Sequence, residues 1–174
     1  MKKTAVRFGL YGVIVLLALF LISWATYKEN YKTQEIVTWT GIVLSVIFVY
    51  FGMKYYRDKQ NGGVLGFGEG LKLGVLIVLF PAIGFGLYNV IYILWLDPQF
   101  LDKYYTYEVN QARASVPAAE LNDRLKEIQD MKEMFASPAI QFIVMFFSVF
   151  VIGLIVTIVS TLLLKRKGAR AVVA

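Results

Sequence analysis

Hydrophobic residues in this 174-residue chain fall into four long runs, and none of the runs contains a charged side chain. The runs cover residues 8–27, 36–53, 73–96 and 139–164. Each approaches or exceeds the roughly 20 residues that an α-helix needs to cross the hydrocarbon core of a bilayer. Because the runs are continuously apolar and do not alternate with polar positions, the pattern predicts helices rather than the strands of a membrane barrel.

The predicted fold is therefore all-α: an integral membrane four-helix bundle that forms a single domain over residues 1–174. We place the spans at about residues 6–27, 36–56, 69–96 and 138–164. Between the third and fourth spans, residues 97–137 form an extramembrane helical insertion on the outer side. Its apolar residues recur at helical spacing and predict an amphipathic outer helix; they are Leu121, Leu125, Ile128 and Phe135. Such a helix either caps the bundle, binds a partner or pairs with a second copy.

Composition agrees with a membrane protein and removes several kinds of chemistry. The chain is 58% hydrophobic, whereas soluble domains contain roughly 45–50% apolar residues. It has no Cys and no His, which excludes thiolate and imidazole metal sites and the nucleophiles that a histidine activates. We therefore predict no enzyme activity, no catalytic residue, no metal and no cofactor.

Charge is distributed unevenly over the segments that flank the runs. The N-terminus, the segment between the second and third runs and the C-terminal tail together carry a net charge of +9, and the other two loops carry −3. Since Lys and Arg beside a span favour the cytoplasmic side, both termini are predicted to be cytoplasmic. Topology and attraction to an anionic lipid bilayer then explain the net charge of +6, and no nucleic-acid partner is expected.

Two charged residues stand at the start of the third span, after a glycine-rich turn that begins at Asn61. Glu69 and Lys72 are three residues apart and therefore share one helical face. In the structural interpretation, Glu69 occupies the first turn, where the helix dipole favours an anion, and Lys72 extends to the lipid headgroups. In the functional interpretation, Glu69 lies at the mouth of a proton or cation path.

The same span contains two further unusual residues at membrane depth. Pro81 lies about 13 Å beyond Lys72 and lacks a backbone donor, so a bend is expected there. Asn89 follows on a face of small residues and needs a hydrogen-bond partner, for which Ser148 of the last span is the best candidate. Either these residues form a packing seam with one interhelical hydrogen bond, or they line a small cavity or substrate path.

Several segments resemble the signature of one family. The resemblance lies in Tyr56-Arg57-Asp58, in Asn61-Gly62-Gly63, in residues 67–74, and in Tyr88, Asn89 and Tyr92. These segments are similar to a bacterial domain-of-unknown-function (DUF) family of small inner-membrane proteins with four spans. The resemblance implies that architecture, cytoplasmic termini and a location in the bacterial inner membrane, and it implies no particular activity.

Three functions are compatible with these residues. We predict a structural or accessory protein that interacts with a membrane-protein partner or forms a homo-oligomer. The alternative is a small oligomeric transporter or channel that uses the kinked third helix. A membrane enzyme acting on lipid is disfavoured, because without His or Cys only carboxylates, Lys or Tyr remain to carry the chemistry.

Overall fold

The computed structural model describes residues 1–27 and 30–166, and within them six α-helices and one π-helical turn. The helices are α1 (Lys2–Thr26), α2 (Tyr31–Gln60), α3 (Phe67–Ile91), α4 (Phe100–Ser115), α5 (Ala118–Phe135) and α6 (Pro138–Leu164), and the π-helical turn (Tyr92–Leu96) directly follows α3. The predicted all-α class is confirmed. Residues 28 and 29 of the loop between α1 and α2 and the tail from residue 167 lie outside the described residues.

Four helical segments are long and apolar enough to cross a membrane: α1, α2, α6, and α3 together with its π-helical turn. The protein is therefore a membrane protein. Helix α2 begins at Tyr31, before the predicted start of the second span at residue 36, and the limits of the span in the membrane stay a prediction. The reason for the early start is a cap that the apolar pattern does not reveal: Asn30 Oδ1 accepts a hydrogen bond from the Thr33 backbone N–H at 3.0 Å.

The chain divides into two compact units, Met1–Phe85 with Phe146–Ala174, and Gly86–Met145. In the first unit, glycines let the helices approach closely. A methyl group on Gly52 of α2 would lie 2.6 Å from Ile77 Cδ1 of α3, which is closer than real side chains come. This close approach places a buried core between the helices; it includes Val49, Met53, Leu73, Ile77 and Val78.

Pro81 does not interrupt its helix, since α3 continues through it to Ile91. The proline is buried and lies near Gly12 of α1, where a Cβ would be 3.6 Å from Pro81 Cγ and 2.8 Å from the Ser45 carbonyl oxygen of α2. Pro81 therefore stands where α1, α2 and α3 come together, and helices in membranes tolerate proline where neighbouring helices pack around it. The bend expected at Pro81 stays a prediction.

The second unit contains a pair of antiparallel helices, α4 and α5. Their shared core is formed by Tyr105 and Ala112 of α4 and Ile128 of α5, all of them buried. Two ion pairs join the helices, Lys132–Asp102 at 2.7 Å and Arg124–Glu108 at 3.8 Å. The helical insertion predicted over residues 97–137 is a hairpin of α4 and α5, and the sequence indicated an amphipathic pattern only for α5.

Candidate functional site

Glu69 is the centre of a hydrogen-bonded cluster that joins α2 to α3. Its Oε1 accepts a hydrogen bond from the Tyr56 hydroxyl at 2.9 Å, and its Oε2 accepts one from Asn61 Nδ2 at 3.0 Å. The Gly66 backbone N–H donates a third, longer bond to Oε2 at 3.4 Å. Because α2 and the turn after it supply these donors, the carboxylate of α3 holds the two helices and the turn together. We call Tyr56, Asn61, Gly66 and Glu69 the Glu69 cluster.

Local backbone structure places the members of this cluster. Helix α2 ends at Gln60, and the turn that follows has positive φ angles of 59° at Gly62 and 79° at Gly63. Glycine adopts such angles without steric cost, and this confirms the prediction of a glycine turn after Asn61. Glu69 then lies in the first turn of α3 and reaches back to the residue just before the helix, as the acid of a capping box does.

The end of α6 is attached beside the cluster. Leu65 and Arg166 exchange two backbone hydrogen bonds, of 3.1 and 3.0 Å, in an antiparallel bridge. Arg57 of α2 donates from Nη1 to the Leu164 carbonyl oxygen at 3.4 Å, which satisfies one of the carbonyls that a helix leaves open at its C-terminus. The turn between α2 and α3 therefore also anchors the last membrane helix.

Beyond Glu69, α3 packs tightly against α2 and α6 through two glycines. A Cβ on Gly70 would lie 2.7 Å from Thr161 Cγ2, and a Cβ on Gly74 would lie 2.7 Å from Thr157 Oγ1. Met53 Cε and Thr157 Cγ2 lie still closer to the Gly74 position. Helix α3 thus has no space for a side chain at Gly74, and the backbone of α3 lies directly on its neighbours.

The residues singled out along the third span do not form one group. Lys72 is exposed, and no ion pair links it to Glu69 in the part of the chain that the structure describes. The Asn89 Oδ1 atom is buried and accepts no hydrogen bond from any described residue. Asn89 and Ser148 belong to different compact units, so their pairing stays a prediction.

The apolar residues proposed for partner binding on the outer helix lie mostly against α4. Ile128 is 1% exposed, and Leu121 and Leu125 pack as partly buried side chains on the same core; Phe135, the last residue of α5, is half-buried. Burial, with a smaller contribution from the Glu108 carboxylate, raises the pKa of Tyr105 in this core. A partner of the hairpin would therefore meet mainly its polar outer surface.

Tyr56 is the member of the Glu69 cluster whose role the sequence did not reveal. Three tyrosines near the end of α2, Tyr50, Tyr55 and Tyr56, have the composition of an aromatic belt at the membrane surface. Tyr56, however, is only 8% exposed, and its hydroxyl donates a hydrogen bond to Glu69. The helical repeat could have separated Tyr56 from its neighbour Tyr55. Successive residues of a helix point about 100° apart, so two adjacent tyrosines face different surroundings.

Chemically, the cluster is suited to holding helices together. A carboxylate that accepts three hydrogen bonds has most of its acceptor positions occupied, which leaves little capacity for a substrate or a cation. Within residues 1–27 and 30–166, no group of three or more His, Cys, Asp or Glu side chains lies close enough to hold a metal ion. The geometry therefore supports a structural role for Glu69.

Comparison with known proteins gives one match. A family model described as "Protein of unknown function (DUF4199)" matches residues 7–166, which is all but the two ends of the chain. No curated protein and no solved structure matches. The chain, a membrane protein built of α-helices, belongs to the DUF4199 family of proteins of unknown function.

Proposed function

We propose that this protein is a structural or accessory component of the bacterial inner membrane, without enzyme activity and with both termini in the cytoplasm. The observation that carries the proposal is the hydrogen bonding of Glu69. Glu69, the residue that an ion path would most readily use, instead accepts hydrogen bonds from Tyr56, Asn61 and the Gly66 backbone. A group held in this way maintains the bundle, and the function then lies in what the bundle presents to other molecules.

Charge and aromatic residues support the proposed orientation. Described basic residues gather at the end of the bundle that contains the Glu69 cluster; they are Lys2, Lys3, Arg7, Lys54, Arg57, Lys59, Lys72, Lys165 and Arg166. By the positive-inside rule this end is cytoplasmic. Trp39 and Trp95 lie toward the opposite ends of their helices and are 51% and 73% exposed, as expected of indole rings at a membrane interface.

The surface proposed for a partner is the outer face of α5. Four acidic residues recur there at three- and four-residue spacing and all are exposed; they are Glu120, Asp123, Glu127 and Asp130, which we call the acidic stripe. Glu127 pairs with Arg124 at 3.0 Å on its own helix, whereas Asp123 and Asp130 make no ion pair with another described residue. A membrane-protein partner with a basic outer loop would complement this stripe.

Reversing two charges of the stripe, with Asp123→Lys and Asp130→Lys together, is expected to release the partner. Both side chains are exposed, so the hairpin core should remain intact while like charges repel the basic surface of the partner. The measurement is the mass and composition of the intact particle after mild-detergent extraction from the native host. Glu35→Lys, an exposed reversal in the first turns of α2, is the matched control and should leave the particle unchanged.

Two outcomes of this extraction would contradict the accessory role. One is a wild-type particle that contains only this chain. The other is a stoichiometric partner that stays bound in the double reversal and also in reversals at Glu120 and Glu127. In the second case the partner would have to bind elsewhere on the molecule.

A second candidate function, a small oligomeric transporter or channel, is favoured by two observations. Asn89 Oδ1 is buried in α3 without a hydrogen-bond donor among the described residues, and a π-helical turn begins three residues later at Tyr92. Single π-turns are frequent at functional sites, and polar side chains at membrane depth often mark a substrate path.

Liposome flux separates the two candidates. We expect the purified protein to give no flux of protons or K⁺ above that of protein-free vesicles, because the accessory role requires no path. Asn89→Leu and Glu69→Gln should then behave like the wild type. Flux that appears with the wild type and disappears with Asn89→Leu, while the exposed control Lys72→Gln retains it, would establish the transport function instead.

A further inference from the structure

Arg7 is held on a surface of aromatic rings at the basic end of α1. Its guanidinium carbon lies 5.5 Å from the centroid of the Tyr55 ring of α2, and 5.7 and 5.9 Å from the Tyr11 and Phe8 rings of its own helix. Its Nε donates a hydrogen bond to the Tyr11 hydroxyl at 2.9 Å. Cation–π contacts within about 6 Å are attractive, so four contacts fix the position of this guanidinium.

The charge of Arg7 is not neutralised by a carboxylate. No acidic side chain in the described ranges 1–27 and 30–166 forms an ion pair with it. Nε donates to the Tyr11 hydroxyl, and the two terminal nitrogens carry four further N–H groups. The Tyr55 hydroxyl also interacts with the guanidinium by a side-chain hydrogen bond, and the remaining N–H groups are available to a ligand. A planar guanidinium with free donors matches the geometry of a phosphate, which it binds with two parallel hydrogen bonds.

The depth of Arg7 in the membrane favours a lipid headgroup over a soluble compound as the source of the phosphate. Arg7 is the last charged residue before the charge-free run that starts at residue 8, so it stands at the boundary between headgroups and hydrocarbon. Lys3 precedes it by four residues and therefore lies on the same helical face. Lys54, exposed beside Tyr55, adds a further positive charge at this end.

Below Arg7, the same face of α1 is apolar and exposed. Tyr11 and Ile14 follow at the i+4 and i+7 positions and are 38% and 62% exposed, and Leu21 continues the face at 50%. Exposed apolar side chains in a membrane helix contact lipid tails. A lipid with its phosphate on Arg7 would place its acyl chains along these residues. A soluble phosphate compound has no acyl chains and could not make these contacts.

We propose that Arg7, with Tyr11 and Tyr55, forms a specific binding site for the phosphate of an anionic phospholipid. The site differs from general attraction to a basic surface, because the guanidinium is positioned before the lipid arrives. It recognises the phosphate group by hydrogen bonds and the anionic headgroup by the nearby lysines. The acyl chains of the lipid cover the exposed face of α1.

The test is native mass spectrometry of the detergent-solubilised chain during titration with phosphatidylglycerol. We expect Arg7→Lys to weaken binding of the first lipid about tenfold, since it keeps the charge and loses the paired hydrogen bonds. Tyr11→Phe keeps both the ring and Arg7 and should weaken binding by a smaller factor. Lys165→Gln, which removes an exposed charge at the end of α6, is the matched control and should bind like the wild type.

Four results would overturn the proposal. Wild-type affinity in Arg7→Lys would show that charge alone attracts the lipid, and so would an equal loss in Lys165→Gln. Equal retention of zwitterionic phosphatidylcholine would remove the preference for an anionic headgroup. Displacement of phosphatidylglycerol by millimolar inorganic phosphate would assign the site to a soluble ligand. Helical content measured by circular dichroism verifies that each variant is folded before its binding is compared.

Discussion

Gly74→Leu is expected to lower the free energy of unfolding by more than about 3 kcal/mol, or to prevent folding. The position of a Cβ on Gly74 is already occupied, with Met53 Cε of α2 and Thr157 Cγ2 of α6 closer to it than Thr157 Oγ1 at 2.7 Å. Met53 and Thr157 are both fully buried, so neither side chain can move into open space. A leucine would force α3 away from both helices.

Gly68→Leu is the matched control for this prediction. Gly68 lies on the same helix, and apart from its chain neighbours and the backbone of its own helix no described atom comes within 4 Å of its Cβ position. The same substitution there should change stability by less than about 0.5 kcal/mol. Unfolding in mixed detergent micelles, followed by helical circular dichroism, measures both variants. Equal stability of the two would show that α3 does not pack on α2 and α6 at Gly74.

Glu69→Ala is expected to cost about 2 kcal/mol of stability, which is the second-largest effect. The substitution removes the acceptor of the Tyr56 hydroxyl, of Asn61 Nδ2 and of the Gly66 backbone N–H. Hydrogen bonds to a charged group contribute more than neutral ones, and Tyr56, at 8% exposure, would keep a buried hydroxyl without its partner. The half-buried position of Glu69 lets water replace part of the loss.

A double-mutant cycle separates the Tyr56–Glu69 bond from the rest of the cluster. We expect Tyr56→Phe alone to cost about 1 kcal/mol, and the double variant Tyr56→Phe/Glu69→Ala to cost less than the sum of the singles. Tyr50→Phe is the control, since the Tyr50 hydroxyl makes no hydrogen bond within the described residues. Strict additivity of Tyr56→Phe and Glu69→Ala would mean that the two side chains do not interact in the membrane.

The sequence predicts the membrane helices well because their signal is local. A charge-free apolar run has only one stable backbone form in lipid, and all four runs correspond to helices long enough to span it. Glycine has a similarly local signal, since Gly62 and Gly63 adopt the positive φ angles expected of the turn after Asn61. The position of Glu69 in the first turn of α3 is confirmed for the same reason.

Contacts between helices are the part that the sequence does not reveal. Tyr55 and Tyr56 are neighbours in the chain, yet Tyr55 contacts Arg7 of α1 and Tyr56 contacts Glu69 of α3. A pattern along one helix gives the direction of each side chain but not the identity of the helix it meets. The hydrophobic pattern identified α5 and not α4, whose buried Tyr105 and Ala112 pack beside the partly buried Leu101 and Val109.

The attachment of α6 to the turn between α2 and α3 has a consequence for the order of assembly. The Tyr56–Glu69 bond joins residues 13 apart in the chain, whereas the bond from Arg57 to Leu164 spans 107 residues. Closing a short loop costs less entropy than closing a long one. The hairpin of α2 and α3 can thus form while the ribosome is still synthesising α4 and α5. Docking of α6 then adds its contacts to a pair of helices that has already formed, so α6 joins the bundle last.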